Sequence, residues 1–197
     1  MAIEIPQYEV LKKEGKFELR RYKGYIKAEV GVTADSYNQA TTDGFRIIAD
    51  FIFGNNVKRQ QISMTAPVVQ NVQSSEHIAM TAPVNVGIVK NKVYKISFIM
   101  PSKYNLSTLP VPNNKKVKIV RIGTFKAAVI RFSGFINERV LNARTGELEE
   151  WIRNNQLKSI GVQDIARYNP PWTPWFLRRN EIIIHLTRDP KRSNSLQ

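Results

Sequence analysis

Ile62-Ser63-Met64-Thr65-Ala66-Pro67-Val68 recurs sixteen residues later as Ile78-Ala79-Met80-Thr81-Ala82-Pro83-Val84, with six of the seven positions identical. Between the copies lies Gln73-Ser74-Ser75-Glu76-His77, small and polar, a composition suited to chain reversal. In the first copy Ile62, Met64, Ala66 and Val68 alternate with Ser63, Thr65 and Pro67, the period of a strand with one apolar face. The second copy alternates in the same phase. A turn near Ser75 sets even positions opposite even positions, so the two apolar rows share a face. Pro67 and Pro83 have no N–H to donate, which places them at edges, bulges or bends. The stretch therefore reads as a bent core hairpin, with Met64 and Met80 in the core rather than serving as thioether ligands.

Working outward, Tyr8 to Tyr22 reads as two short strands around Glu14-Gly15, and Tyr25 to Val32 as a third. Thr33-Ala34-Asp35-Ser36 offers a helix N-cap, with Thr33 or Asp35 as acceptor, and the helix runs to Phe53 before Gly54-Asn55-Asn56. Tyr37, Ala40, Gly44, Ile47, Ile48 and Phe51 form its apolar stripe, with Phe45, Ala49 and Ile52 on the flank and Arg46 nearly opposite. So wide an arc reads first as deep burial. Bordered by Arg46, Lys58 and Arg59, it would also suit a flat apolar anion. After the hairpin, Val93 to Met100 is a strand, Pro101 to Asn114 a loop, and Val117 to Phe132 two strands broken at Gly123. Asn137 caps a second helix with the stripe Val140, Leu141, Leu148, Trp151 and Ile152. Strands at Ile165 to Tyr168 and Glu181 to Leu186 flank an aromatic loop, Asn169 to Trp175. Each half thus carries one helix between antiparallel-type strands. The order predicts a duplicated β-α-β-β unit in one α+β domain spanning residues 1–189, followed by a charged tail at 190–197.

The chain has 197 residues and 42% apolar content, with no run long enough to cross a membrane as a helix and no signal-peptide pattern at its start. A cytoplasmic monomer is the expectation. Having no cysteine excludes disulfides, thiolate metal sites and cysteine nucleophiles, and two distant histidines argue against a multi-histidine metal site. The formal charge of +14 favours anionic partners, but the thirty Lys and Arg are spread along the chain as on a solvated face. No nucleic-acid motif accompanies them. Glu147, Glu149 and Glu150 read as a solvated helix face, and no nucleophile, base and orienting group can be named together, so an enzyme is not expected.

Several uncommon motifs resemble the SOUL haem-binding family. They are Tyr8-Glu9-Val10 with Phe17 to Tyr22, Gly54-Asn55-Asn56 leading into the doubled Met-Thr-Ala-Pro-Val, and Ala166 to Thr173 with Phe176 to Glu181. The resemblance spans residues 5 to 187. It implies a distorted antiparallel β-barrel of about eight strands with two long helices, similar to the effector-binding domains of bacterial regulators. It also implies non-covalent binding of haem b or another tetrapyrrole beside the first helix, by a carrier or buffer. Carried over by position, Phe45, Ile48, Ala49 and Ile52 supply an apolar wall. Arg46 and Lys58 face the propionates, and Arg178 or Arg179 closes the site. Trp172 and Trp175 would either stack on the macrocycle or pack as a plug. Some members use a histidine near the start of this helix, but Thr33 to Phe53 contains none. The iron is therefore expected to have weak or no coordination from the protein. A general effector-binding module is the alternative function. Association of a basic protein with nucleic acid or an anionic membrane is the third.

Overall fold

A computed structural model describes residues 4–72, 92–169 and 172–187. The second copy of the repeat, the turn before it with His77, and the tail from residue 188 lie outside the described residues. Nine strands form one antiparallel sheet: β1 (Tyr8–Glu14), β2 (Phe17–Tyr22), β3 (Tyr25–Ala34), β4 (Val68–Val72), β5 (Lys92–Ile99), β6 (Lys118–Ile122), β7 (Phe125–Phe132), β8 (Ser159–Arg167) and β9 (Asn180–Leu186). Helix α1 (Tyr37–Ile52) joins β3 to β4, and α2 (Glu138–Asn154) joins β7 to β8. The sheet order, β1-β2-β7-β9-β8-β4-β5-β3-β6, ends on two edge strands, so the barrel is distorted and not closed by hydrogen bonds.

The order displays the duplication. One unit is β3-α1-β4-β5 and the other β7-α2-β8-β9, joined side by side through β4 and β8. The strand before each unit crosses over: β2 pairs with β7, and β6 pairs with β3. The two crossing turns touch at Gly24, where a Cβ would lie 2.8 Å from the Ile122 carbonyl oxygen, so that position has no room for a side chain.

Both sheet faces are covered, which the strand period explains. On β7, Ala128, Ile130 and Phe132 face α2 and pack with Leu148, Trp151 and Ile152. Ala127 and Val129 turn to the inner face, with Tyr22, Val69, Ala166 and Ile183. Helix α1 packs Ala40, Ile48, Phe51 and Ile52 against Val30, Ile96 and Phe98 of β3 and β5. The close approach needs Gly44, since a Cβ there would meet Ile96 Cγ1 at 2.3 Å. Each helix is capped by a side chain, Asn137 on Val140 N–H as expected for α2. The α1 cap is Ser36, accepting from Gln39 N–H at 3.3 Å, rather than Thr33 or Asp35, because β3 runs on through Ala34.

The first copy of the repeat is not a strand. Residues 61–67 are irregular and β4 starts only at Val68. Their amides bond elsewhere: Ile62 N–H to the Ile52 carbonyl at the end of α1, and Ala66 N–H to the Glu4 carbonyl. The alternation fails accordingly. Met64 is exposed, while Thr65 is buried with its hydroxyl donating to the Ile99 carbonyl, and the Ala66–Pro67 peptide is cis. Strand β8 begins six residues before the expected Ile165, its early residues being too exposed to show an apolar period.

Candidate ligand-binding surface

The sequence placed a ligand on the flank of α1, and the structure divides those residues. Ile48 and Ile52 are 0% and 1% exposed on the sheet side, and Ala49 is buried at the margin. They do not wall a surface cleft, because Gly44 lets α1 lie so close to Ile96 that the flank is drawn into the core. Phe45 remains 37% exposed, its ring 5.3 Å from that of Phe98. Phe53, 62% exposed, was not among the residues expected, although positions 45, 49 and 53 recur at intervals of four and share one helix edge. Arg46 is exposed, seven residues before Phe53 and so on nearly the same side. Lys58 is exposed just past the helix, its Nζ 3.5 Å from the Thr108 carbonyl. What α1 and the turn after it leave exposed are two phenylalanines, Phe45 and Phe53, and two cations, Arg46 and Lys58.

Arg179 is engaged elsewhere. On the inner face of the sheet, fully buried Glu181 accepts from Arg20 Nη1 (2.8 Å) and Nη2 (3.0 Å), from Arg179 Nε (3.0 Å) and Nη2 (2.8 Å), and from the Tyr168 hydroxyl (2.8 Å). Arg20, itself buried, also donates to Glu18 (2.7 Å) and the Tyr22 hydroxyl (2.9 Å). The Arg179 guanidinium covers the Tyr168 ring at 3.9 Å and reaches the Tyr8 hydroxyl at 3.2 Å. Two guanidiniums and two carboxylates balance, so this cluster ties β2 to β9 rather than presenting charge to a ligand. Burial by itself would raise the Glu181 pKa. Hydrogen bonds and charge from Arg20, joined by Arg179 and Tyr168, outweigh it and hold the carboxyl below its usual range.

Arg178 lies half-buried with its guanidinium 5.3 Å from the centre of the Phe135 ring and its Nε donating to the Thr173 carbonyl at 2.8 Å. Trp172 is 83% exposed and Trp175 more than half exposed, so neither is a plug. Trp175 groups with Phe135 and Phe176 beside exposed Leu177 as an aromatic tip, and Trp172 is exposed three residues before it in sequence.

A hollow of about 770 Å³, within the range of small-molecule sites, opens where the two halves cross; Lys23, Tyr25, Tyr104, Arg121 and Glu4 contribute to its wall. A second, of about 520 Å³, shares residues 5–7, Lys23 and Thr124 with it. The wall is partly laced by its own bonds, Lys23 to Gln7 and the Ser102 N–H to Glu4. Five segments distant in sequence build this hollow, so no local motif announces it.

As a source of iron ligands, the inner face holds His185 with Nε2 2.8 Å from Asp164 and its ring stacked 4.3 Å from Phe125. It belongs to that interior packing and not to the α1 flank. Met100 is buried. Among the described residues no three His, Cys, Asp or Glu gather as a metal site, and no helix is long and apolar enough to cross a membrane.

Known proteins show the same outline. Heme-binding protein 1 of Sus scrofa is 25% identical over 187 residues, covering 93% of each chain. Heme-binding protein 2 of Homo sapiens is 24% identical over 181 residues, covering 91% of this chain and 82% of that one. Among solved structures, the EcmrR C-terminal domain superposes with a TM-score of 0.63 at 11% identity, covering 92% of this chain and 98% of that one, a likeness of fold. The family described as SOUL heme-binding protein matches residues 3–185. With that match running over nearly the whole sequence, and with the doubled β-α-β-β sheet beneath it, the protein belongs to the SOUL heme-binding protein family.

Proposed function

We propose that the protein binds haem b or a related tetrapyrrole non-covalently on the outward flank of α1, as a cytoplasmic, monomeric carrier or buffer that performs no chemistry on it. The observation that carries the site is the exposure of Phe45, Phe53, Arg46 and Lys58 on α1 and the turn after it. Aromatic rings offer a flat macrocycle apolar contact, and the cations can take its carboxylates by charge-assisted hydrogen bonds. The family resemblance supports the ligand class. With no histidine from residue 37 to 53, the flank holds the ring by its faces and edges, so a metal-free porphyrin should bind about as well as haemin. Bound haem would bring a redox-active iron, to which this flank offers no histidine.

Absorption titration with haemin, and fluorescence titration with iron-free porphyrin, test the reading. The expected result is a Soret shift and quenching at micromolar ligand, weakened about tenfold when Arg46→Ala and Lys58→Ala are combined. No spectral change with either ligand would defeat the function. Undiminished binding by the double variant would defeat the placement, and a loss in Lys23→Ala with Arg121→Ala would move the site to the hollow. Equal affinity for unrelated amphiphiles in competition would favour the effector-module reading instead.

A further inference from the structure

The aromatic tip at Phe135 and residues 172–177 has no role in the core. Phe135, Trp172, Trp175, Phe176 and Leu177 are each more than half exposed. The rings are grouped: Phe135 and Trp175 stack at 6.3 Å, and Phe176 meets Trp175 edge-on at 5.7 Å. The backbone holds them in place. Gly134 N–H donates to the Trp175 carbonyl (3.0 Å), Leu177 N–H to that of Pro174 (3.0 Å), and the Asn180 side chain to that of Gly134 (3.0 Å). An exposed apolar group held in one arrangement has an occupant to meet, and its order lowers the entropy cost of the meeting.

The charge around it selects the occupant. Arg131 and Arg139, both exposed, lie four residues either side of Phe135, and the Arg178 guanidinium covers its ring. The Arg131 N–H bonds the Lys16 carbonyl, which brings the β1–β2 turn alongside, its Lys12, Lys13 and Lys16 paired with Glu14, Glu18 and Glu147. Glu138 is exposed nearby in sequence, whereas Glu181, four residues past Leu177, is buried against Arg20 and Arg179, and Glu147 is paired with Lys16 and Arg144. The whole chain carries +14. Tryptophan, phenylalanine and leucine among arginines are the side chains that settle at a bilayer interface, apolar bodies in the acyl boundary and cations against lipid phosphates. We infer that this tip docks the protein peripherally on anionic lipid bilayers. Docking there is independent of tetrapyrrole binding.

Co-sedimentation with vesicles of phosphatidylcholine and phosphatidylserine, in about a 2:1 ratio, and with pure phosphatidylcholine tests it, with no haem present. The parent should partition onto the anionic vesicles, and more weakly as salt rises. Trp175→Ser with Phe176→Ser should lower that partition about tenfold or more, and Arg131→Gln with Arg139→Gln should lower it and flatten the salt response. Circular dichroism checks that the variants fold, and Trp172→Ser alone serves if the double variant does not. The proposal is overturned if the parent ignores both vesicles or if folded aromatic variants bind as the parent does. It is also overturned if the parent is a dimer that Trp175→Ser disperses, since a second copy would then cover the tip. A haemin titration alongside keeps the readings apart: haemin binding without vesicle binding overturns docking alone, and the reverse overturns only the function proposed above.

Discussion

Glu181 is a fully buried carboxylate at the start of the last strand, and a costly group to disturb. Taking an ion out of water costs several kcal/mol, recovered here by two guanidiniums and a phenol. Glu181→Gln leaves Arg20 and Arg179 without their buried counter-charge, and should destabilise the fold by about 3–5 kcal/mol in urea unfolding. The pH dependence follows. Glu181 titrates lower folded than unfolded, so its contribution is present above the unfolded value and is lost as pH falls through the folded one. Tyr22 and Tyr168 are shifted the other way, by burial first and then by the Glu181 charge, with Arg20 opposing at Tyr22. Their contribution is lost as pH rises past the ordinary tyrosine value of about 10. Stability should fall at both ends, with a shallower acid limb in Glu181→Gln; parallel acid limbs in the two proteins would refute the assignment. Little of this was legible in Arg20-Arg21 or Arg178-Arg179-Asn180-Glu181. Alternation told which positions share a face, but not that the face opposite the helices is buried too.

At the scale of the element, α1 and α2 could be read from their stripes and limits, and one matched pair of glycines measures what could not. Gly44 and Gly146 both look like weak points in a helix. Gly44 lies against Ile96, and a methyl there would have to displace a β-branched side chain, so Gly44→Ala should cost about 1–3 kcal/mol. Gly146 has nothing within 4 Å, so Gly146→Ala should gain up to about 1 kcal/mol of helix propensity. For a domain of this size each kcal/mol moves Tm by about 2–4 °C, and thermal melts should shift in opposite directions. Shifts of the same sign would mean that the packing at Gly44 gives way. The same contact explains the burial of Ile48 and Ile52, which share the helix side that the absent Cβ lets down onto the sheet.

For the whole molecule, the crossing of β2 and β6 makes each half depend on the other. A fragment of residues 1–115 keeps β1 to β5 but loses β7 from β2, β8 from β4 and β6 from β3. It should not fold alone by circular dichroism and amide dispersion, and adding residues 116–197 should restore the native signal. Cooperative unfolding of the fragment by itself would show that the halves are independent units.

Apart from the first Met-Thr-Ala-Pro-Val copy, the sequence by itself determined the kinds of element, the duplication and the family, because these rest on local periods, their order along the chain and short motifs. It also limited the chemistry, since a chain with no cysteine and two distant histidines has few metal ligands to offer. The tertiary structure alone decided that the first alternating repeat bonds to a helix end instead of forming a strand. It also decided which arginines stay in water and where the hollows and the aromatic tip lie. Each of these depends on groups from segments far apart in sequence meeting at one place. The Met-Thr-Ala-Pro-Val stretch carries both lessons: its wording names the family, while its amides, claimed by Ile52 and Glu4, keep the first copy out of the sheet.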